Sequence, residues 1–129
     1  MFRKGIVCAA LLATVTGAYA EAKWEVVGQS GDSTFYVDTG SITRKDKQVD
    51  VWTKAVNSTP RIQAGDQVAT AYGLDHFVFN CADKTGALMS FARFDESGTA
   101  IQSRSRKYYE LEAIAPGTPM ETLFKRVCQ

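Results

Sequence analysis

Apolar and polar residues alternate along much of the chain, then give way near its end to the spacing of a helix. Gln48 to Val56 is the clearest alternation, with Val49, Val51, Thr53 and Ala55 on one face and Asp50, Trp52 and Lys54 on the other. A period of two predicts a half-buried strand. Tyr72 to Cys81 repeats it, with Phe77, Phe79 and Cys81 on one side and His76, Val78 and Asn80 opposite. Two shorter strands come earlier: Trp24-Glu25-Val26-Val27, stopped by Gly28 and Gly31, and the β-branched and aromatic run Thr34 to Val37. Asp38-Thr39-Gly40-Ser41 and Lys45-Asp46-Lys47 carry turn chemistry. Ala87 to Phe94 is apolar on both faces, Leu88, Ala92 and Phe94 against Met89 and Phe91, and predicts a central strand covered on both sides. Asp95-Glu96-Ser97-Gly98 predicts a hairpin turn, and Thr99 to Lys107 a more polar returning strand near an edge. Asn57 to Ala71 shows no clear period. Asn57-Ser58-Thr59-Pro60 is expected to break the strand before it, with a short helix or an edge strand between there and Ala71.

The end of the chain changes period. Pro116-Gly117 closes the preceding segment, Thr118 is placed as an N-cap, and Pro119 suits the first helical position. Glu121 completes a T-x-x-E capping box. Met120, Leu123, Phe124 and Val127 then fall at i, i+3, i+4 and i+7 and form one apolar face. Glu121, Thr122, Lys125 and Arg126 take the other; Glu121 and Lys125 are an i,i+4 pair, and Lys125 and Arg126 suit the helix C-terminus.

The beginning reads as an address. Met1-Phe2-Arg3-Lys4 is a positive start, Gly5 to Thr16 is apolar, and Ala18-Tyr19-Ala20 is an A-x-A signature followed by Glu21. These predict a secretory signal removed between Ala20 and Glu21. The apolar run is too short to span a bilayer, which takes about 20 residues. Gly5-Ile6-Val7 before Cys8 is not a lipobox, and most of the apolar stretch follows the cysteine, so Cys8 is expected to leave with the signal. No later stretch is apolar enough to span.

Removing 20 residues from 129 leaves 109, and losing Arg3 and Lys4 leaves 13 basic against 14 acidic residues. That balance gives no electrostatic case for nucleic acid. The composition, 45% hydrophobic and 22% charged, is that of one ordinary globular domain and excludes disorder, collagen and coiled coil. Cys81 and Cys128 remain, and an exported domain with two cysteines suggests one disulfide. Free thiols or an intermolecular bridge are the alternatives. An internal bridge would pin the last helix onto the sheet and, by the chain-entropy model, contribute about 4 kcal/mol.

The residues resemble the surface-adhesin protein E family of small exported bacterial proteins. The resemblance rests on Trp24, Phe35-Tyr36-Val37-Asp38 with Ser41-Ile42, and Val49-Asp50-Val51-Trp52. It continues through Phe79-Asn80-Cys81, Phe94-Asp95 with Gly98, Ile114-Ala115-Pro116-Gly117-Thr118, and the terminal Leu123 and Val127-Cys128. It implies a compact α+β domain: a single mostly antiparallel β-sheet with the C-terminal helix packed on it, here stapled by one disulfide. It also implies a binding protein at the cell surface, with host matrix or serum proteins such as vitronectin and laminin as partners. The other reading is a periplasmic envelope protein, structural or inhibitor-like, with no host binding.

Chemistry is sparse. His76 is a candidate base or ligand, but its alternation with Phe77 and Phe79 places it facing solvent, and it is the single histidine, so no familiar zinc spacing exists. Asp95 and Glu96 look like an acid/base pair but sit in a hairpin turn, where they are expected to be solvated. No phosphate-cradling glycine loop or G-x-S-x-G elbow is present. The expectation is therefore no enzyme, no metal and no cofactor. Asn57-Ser58-Thr59 matches a glycosylation acceptor but is discounted behind a bacterial-type signal. Arg104, Arg106 and Lys107, with Arg93 from a neighbouring strand, form the candidate partner-binding patch, suited to an acidic protein or a sulfated polysaccharide. The competing role is a charged edge that discourages strand pairing. An exposed edge could also build a homodimer.

Overall fold

The computed structural model describes residues 21–129; the signal reading of residues 1–20, Cys8 included, lies outside them. Eight strands form one antiparallel sheet: β1 (Trp24–Ser30), β2 (Ser33–Asp38), β3 (Thr43–Lys45), β4 (Gln48–Arg61), β5 (Thr70–Asn80), β6 (Thr85–Phe94), β7 (Ala100–Ser105) and β8 (Glu112–Ala113). The main order is β1-β2-β4-β5-β6-β7, with β3 beside β4 and β8 beside β6. Helix α1 (Pro119–Val127) lies on one face.

The core follows the alternation. Val49, Val51 and Thr53 of β4 are buried, as are Val37 of β2 and Phe79 of β5. Leu123, Phe124 and Val127 of α1 close over them, and Phe79 meets Phe124 edge-on with ring centroids 5.9 Å apart. The first half of the capping box forms as its residues predict, the Thr118 side chain accepting from the Glu121 N–H; Glu121 Oε1 reaches one residue further back than the box requires and accepts from the Gly117 N–H at 3.3 Å. With Lys125 also beside it, that carboxyl is held below the usual carboxylate range, chiefly by the Gly117 bond. Cys81 and Cys128 are joined, Cα to Cα 5.5 Å, so the end of the helix is tied to the end of β5. Arg126 reaches Glu25 of β1 at 2.7 Å, and Arg44 donates to the Val127 carbonyl at 2.6 Å.

Gly86 is required by a close approach. A Cβ there would lie 2.7 Å from the Phe79 ring, so β6 has no side chain where the core's largest buried residue crosses it.

Three expectations change. Asn57-Ser58-Thr59-Pro60 does not break the strand: β4 runs on to Arg61, with a register shift between Val56 and Arg61 that accommodates Pro60. The Ser58 N–H finds the Asp32 carbonyl at 2.9 Å, and Arg61 pairs with Asp32. The segment then loops back to Thr70, with neither a helix nor a separate strand. β1 likewise runs through Gly28, bulging between Val26 and Gly28.

The third concerns β6, which is half-buried throughout and not covered on both sides. It lies one strand from the edge, and the helix covers only one face. A bulge opposite His76/Phe77 leaves Met89 without a partner on β5 and reverses the facing of the residues after it. Leu88, opposite Phe77, therefore faces the helix, while Ala92 and Phe94, opposite Leu74 and Tyr72, face the other way.

Candidate binding surfaces

The face opposite α1 is open among the described residues. Cross-strand pairing aligns Val26 with Tyr36, Tyr36 with Lys54, Lys54 with Leu74, and Trp52 with His76 on this face. Trp24, opposite Asp38, belongs to the same side. The Lys54 ammonium lies 4.5 Å from the Trp24 ring centroid and 5.3 Å from that of Tyr36, a cation held over two aromatic faces. Trp52 and His76 stack at 4.9 Å with ring planes 12° apart, and Tyr72 and Phe94 stack at 4.8 Å. Val26 is 57% exposed and Trp52 39%. Both tryptophans of the chain therefore stand on the uncovered face.

His76 is part of that surface. Its Nε2 lies 3.9 Å from an Asp50 carboxylate oxygen, and its ring is occupied by Trp52. No group of three or more His, Cys, Asp or Glu side chains gathers as a metal site among the described residues.

The basic patch is divided by the structure. Arg93 pairs across β6–β7 with Gln102, and Arg104 with Phe91, which puts Arg93 and Arg104 diagonally on the helix-side face. Arg93 is tied down: its guanidinium meets Asp66 at 3.0 Å and donates to Gln63 and Gln102. Arg104 and Arg106 are exposed along the β7 rim, and the Arg106 N–H donates to the Met89 carbonyl at 2.7 Å. Arg106 shares a shallow groove with Glu110 and Glu112, so part of its field is offset. Lys107 lies past the strand, 5.6 Å from the Tyr108 ring centroid. The exposed cations are thus Arg104, Arg106 and Lys107, without Arg93.

Asp95 has a turn role. Its Oδ1 accepts from the Ser97 hydroxyl at 2.7 Å and from the Ser97 and Thr99 N–H groups at 2.9 Å. The Ser97 hydroxyl and then the Thr99 amide hold this carboxyl below its ordinary range. Asn57 is likewise engaged, its side chain accepting from Ser33 Oγ at 2.7 Å and donating to the Thr70 carbonyl at 3.2 Å.

The Trp24–Tyr36–Lys54 group was not singled out from the sequence. The signal was present, because Trp52 and Lys54 alternate away from the apolar face of β4. What was missing was the strand order that sets Tyr36 and Trp24 beside them.

Among the described residues, an antiparallel sheet with one face covered by a helix and one open defines a domain that presents a surface, and fold and family together point to a non-enzymatic binding protein. Residues 24–129 match the family model described as surface-adhesin protein E, and the chain belongs to that family. Solved structures of Haemophilus influenzae protein E share the fold. One is 15% identical at a TM-score of 0.51, covering 73% of this chain and 76% of that one. A second crystal form gives 15% and 0.54, covering 73% and 79%. A structure from non-typeable Haemophilus influenzae gives 13% and 0.54, covering 85% and 79%. At such identities the likeness is one of fold. No curated protein matches the chain. The family implies an adhesin role and an exported or surface location, and no described helix is long and apolar enough to cross a membrane.

Proposed function

We propose that this chain is exported by cleavage between Ala20 and Glu21 and works, without catalysis or cofactor, as an adhesion module for a protein partner. The partner class is a host matrix or serum protein, with vitronectin and laminin as first members to test. The open sheet face is the contact surface. The observation that carries this is the gathering of Trp24, Tyr36, Trp52 and Val26 on the face that no helix covers among the described residues. Half-exposed aromatics beside a cation are what interface hot spots are made of.

Arg104, Arg106 and Lys107 stand at the β7 rim, Arg104 on the helix-side face, so they steer an acidic partner through the long-range field rather than by contact at the open face, an effect felt more in association rate and salt dependence than in residence time. Arg104→Glu with Arg106→Glu should slow association with any identified partner; unchanged binding to all of them removes the patch from the account. The β7 edge is also where a second copy could pair into a homodimer, and sedimentation velocity reads that directly.

Location is tested by protease treatment of intact cells beside a periplasmic marker. Digestion while the marker survives supports the host-binding role. Protection until the outer membrane is opened favours the periplasmic alternative, an envelope protein with structural or inhibitor-like duties.

A further inference from the structure

The helix-side face carries a second feature, at the end that α1 leaves uncovered. A groove of about 330 Å³ is lined there by residues that include Ala55, Thr70, Gly73, Asp75, Phe91 and Arg93. Asp75 also borders a smaller apolar cavity of about 80 Å³ beneath Met120 and Leu123, so it stands at the junction of the two. Its backbone carbonyl accepts from Thr53 Oγ1 at 3.4 Å, but its carboxylate has no hydrogen-bond or ion-pair partner among the described residues. Arg93, the nearby cation, is already matched to Asp66 at 3.0 Å. The groove therefore holds one uncompensated carboxylate. Beside it the Thr70 hydroxyl, on a residue 3% exposed, has no partner and can accept a hydrogen bond. Phe91 lies directly across the strand pair from Asp75 and supplies an aromatic wall.

We propose that this groove binds an organic cation, an ammonium or guanidinium on a short aliphatic stem, with Asp75 as counter-ion and Phe91 against the stem. A half-buried carboxylate without a partner gains most from a ligand charge that replaces lost water. An aromatic wall adds cation–π attraction. The same head group reaches the groove from a free polyamine or from a lysine side chain of another protein. The site lies on the face opposite the proposed adhesion surface and stands whether or not that surface binds host proteins.

Burial pushes the Asp75 carboxyl up to about 6. The other titratable or charged groups around it are Arg93, Asp66 bound to Arg93, Arg104 of β7 one strand beyond Phe91, and Tyr36 at the edge of the apolar cavity. β4 and α1 contribute Thr53, Ala55, Met120 and Leu123, which do not titrate. Cation binding requires the ionised carboxylate, so it should fade as pH falls through about 6.

The test is amide-resolved NMR titration of the folded protein with spermidine and, separately, with Nα-acetyl-lysine amide; n-butanol is the uncharged control. Saturable shifts at Gly73, Asp75 and Phe91 are expected with at least one of the two cations, and none with n-butanol. Tighter binding of spermidine identifies a free polyamine as the source, and tighter binding of the lysine derivative a protein side chain. Asp75→Asn should weaken binding at least tenfold. Gly73→Val is the second variant: a Cβ there meets only the Ala92 carbonyl oxygen, at 3.5 Å, so the side chain fills the groove while Asp75 keeps its charge. It too should weaken binding at least tenfold, with an unchanged melting temperature. Absence of saturable shifts with both cations overturns the proposal, as does wild-type affinity in either variant.

Discussion

On the helix side of the sheet, Val37, Val51 and Phe79 are fully buried, and the disulfide ties α1 down beside them. On the other side, Trp52 is 39% exposed, and aromatic rings are paired across neighbouring strands with nothing laid over them among the described residues. The same strands supply both faces, because successive side chains point to opposite sides. Val51 and Trp52 are neighbours in sequence and belong to different surfaces. Burial on one face supplies the stability that lets the other keep apolar groups in water. Changes on the helix side should therefore act on stability, and changes on the open side on binding.

The largest effect expected on that contrast comes from the disulfide. Cys81→Ser with Cys128→Ser should cost about 4 kcal/mol in urea denaturation, since the bridge closes a span of 47 residues. A loss below about 1 kcal/mol would show that α1 is held by packing alone. Next is Gly86→Ala. Its methyl would crowd the Phe79 ring at 2.7 Å, and overpacking of this kind costs about 1–3 kcal/mol.

Asp75→Asn should go the other way, because this residue is the helix-side face's own departure from apolar burial. Its carboxyl is raised from 3.8 to about 6 by desolvation, so ionisation costs the folded state more than the unfolded. Stability is highest below about pH 4, falls as pH rises through the window from 3.8 to about 6, and is level above it. Discounted for partial solvent access, the asparagine variant should gain about 1–2 kcal/mol at pH 7 and nothing at pH 4. Equal stability changes at both pH values would show that the carboxyl is not desolvated. The smallest stability effect belongs to the open face. Trp52→Ala removes one cross-strand stack and should cost only about 0.5–1 kcal/mol in thermal unfolding.

Much of this division was legible in the chain. The alternation of Val49, Val51 and Thr53 named the buried face of β4, and Thr118, Pro119 and Glu121 named the helix start, because these signals are local. The Met89 bulge was not legible. It depends on the register of two strands, and it turned an apparent two-faced core strand into one whose Leu88 and Phe94 face opposite ways. Pro60 misled for a related reason: proline stops a regular ladder, but a register shift removes the requirement for its N–H. Arg93 read as a free cation because Asp66 and Gln63 lie on a loop whose return could not be placed. Asp75 could have been found, since positions 75, 77 and 79 share a face and a carboxylate in line with Phe77 and Phe79 breaks the pattern. The grouping of Trp24 with Tyr36 and Lys54 needed the strand order.

The most direct test of the two-faced account is binding to immobilised vitronectin and laminin, comparing the wild type with Trp52→Ala. The account predicts that the wild type binds at least one of them and that the variant, still folded, binds it at least tenfold more weakly. Binding to neither protein, or equal binding by wild type and variant, would contradict it.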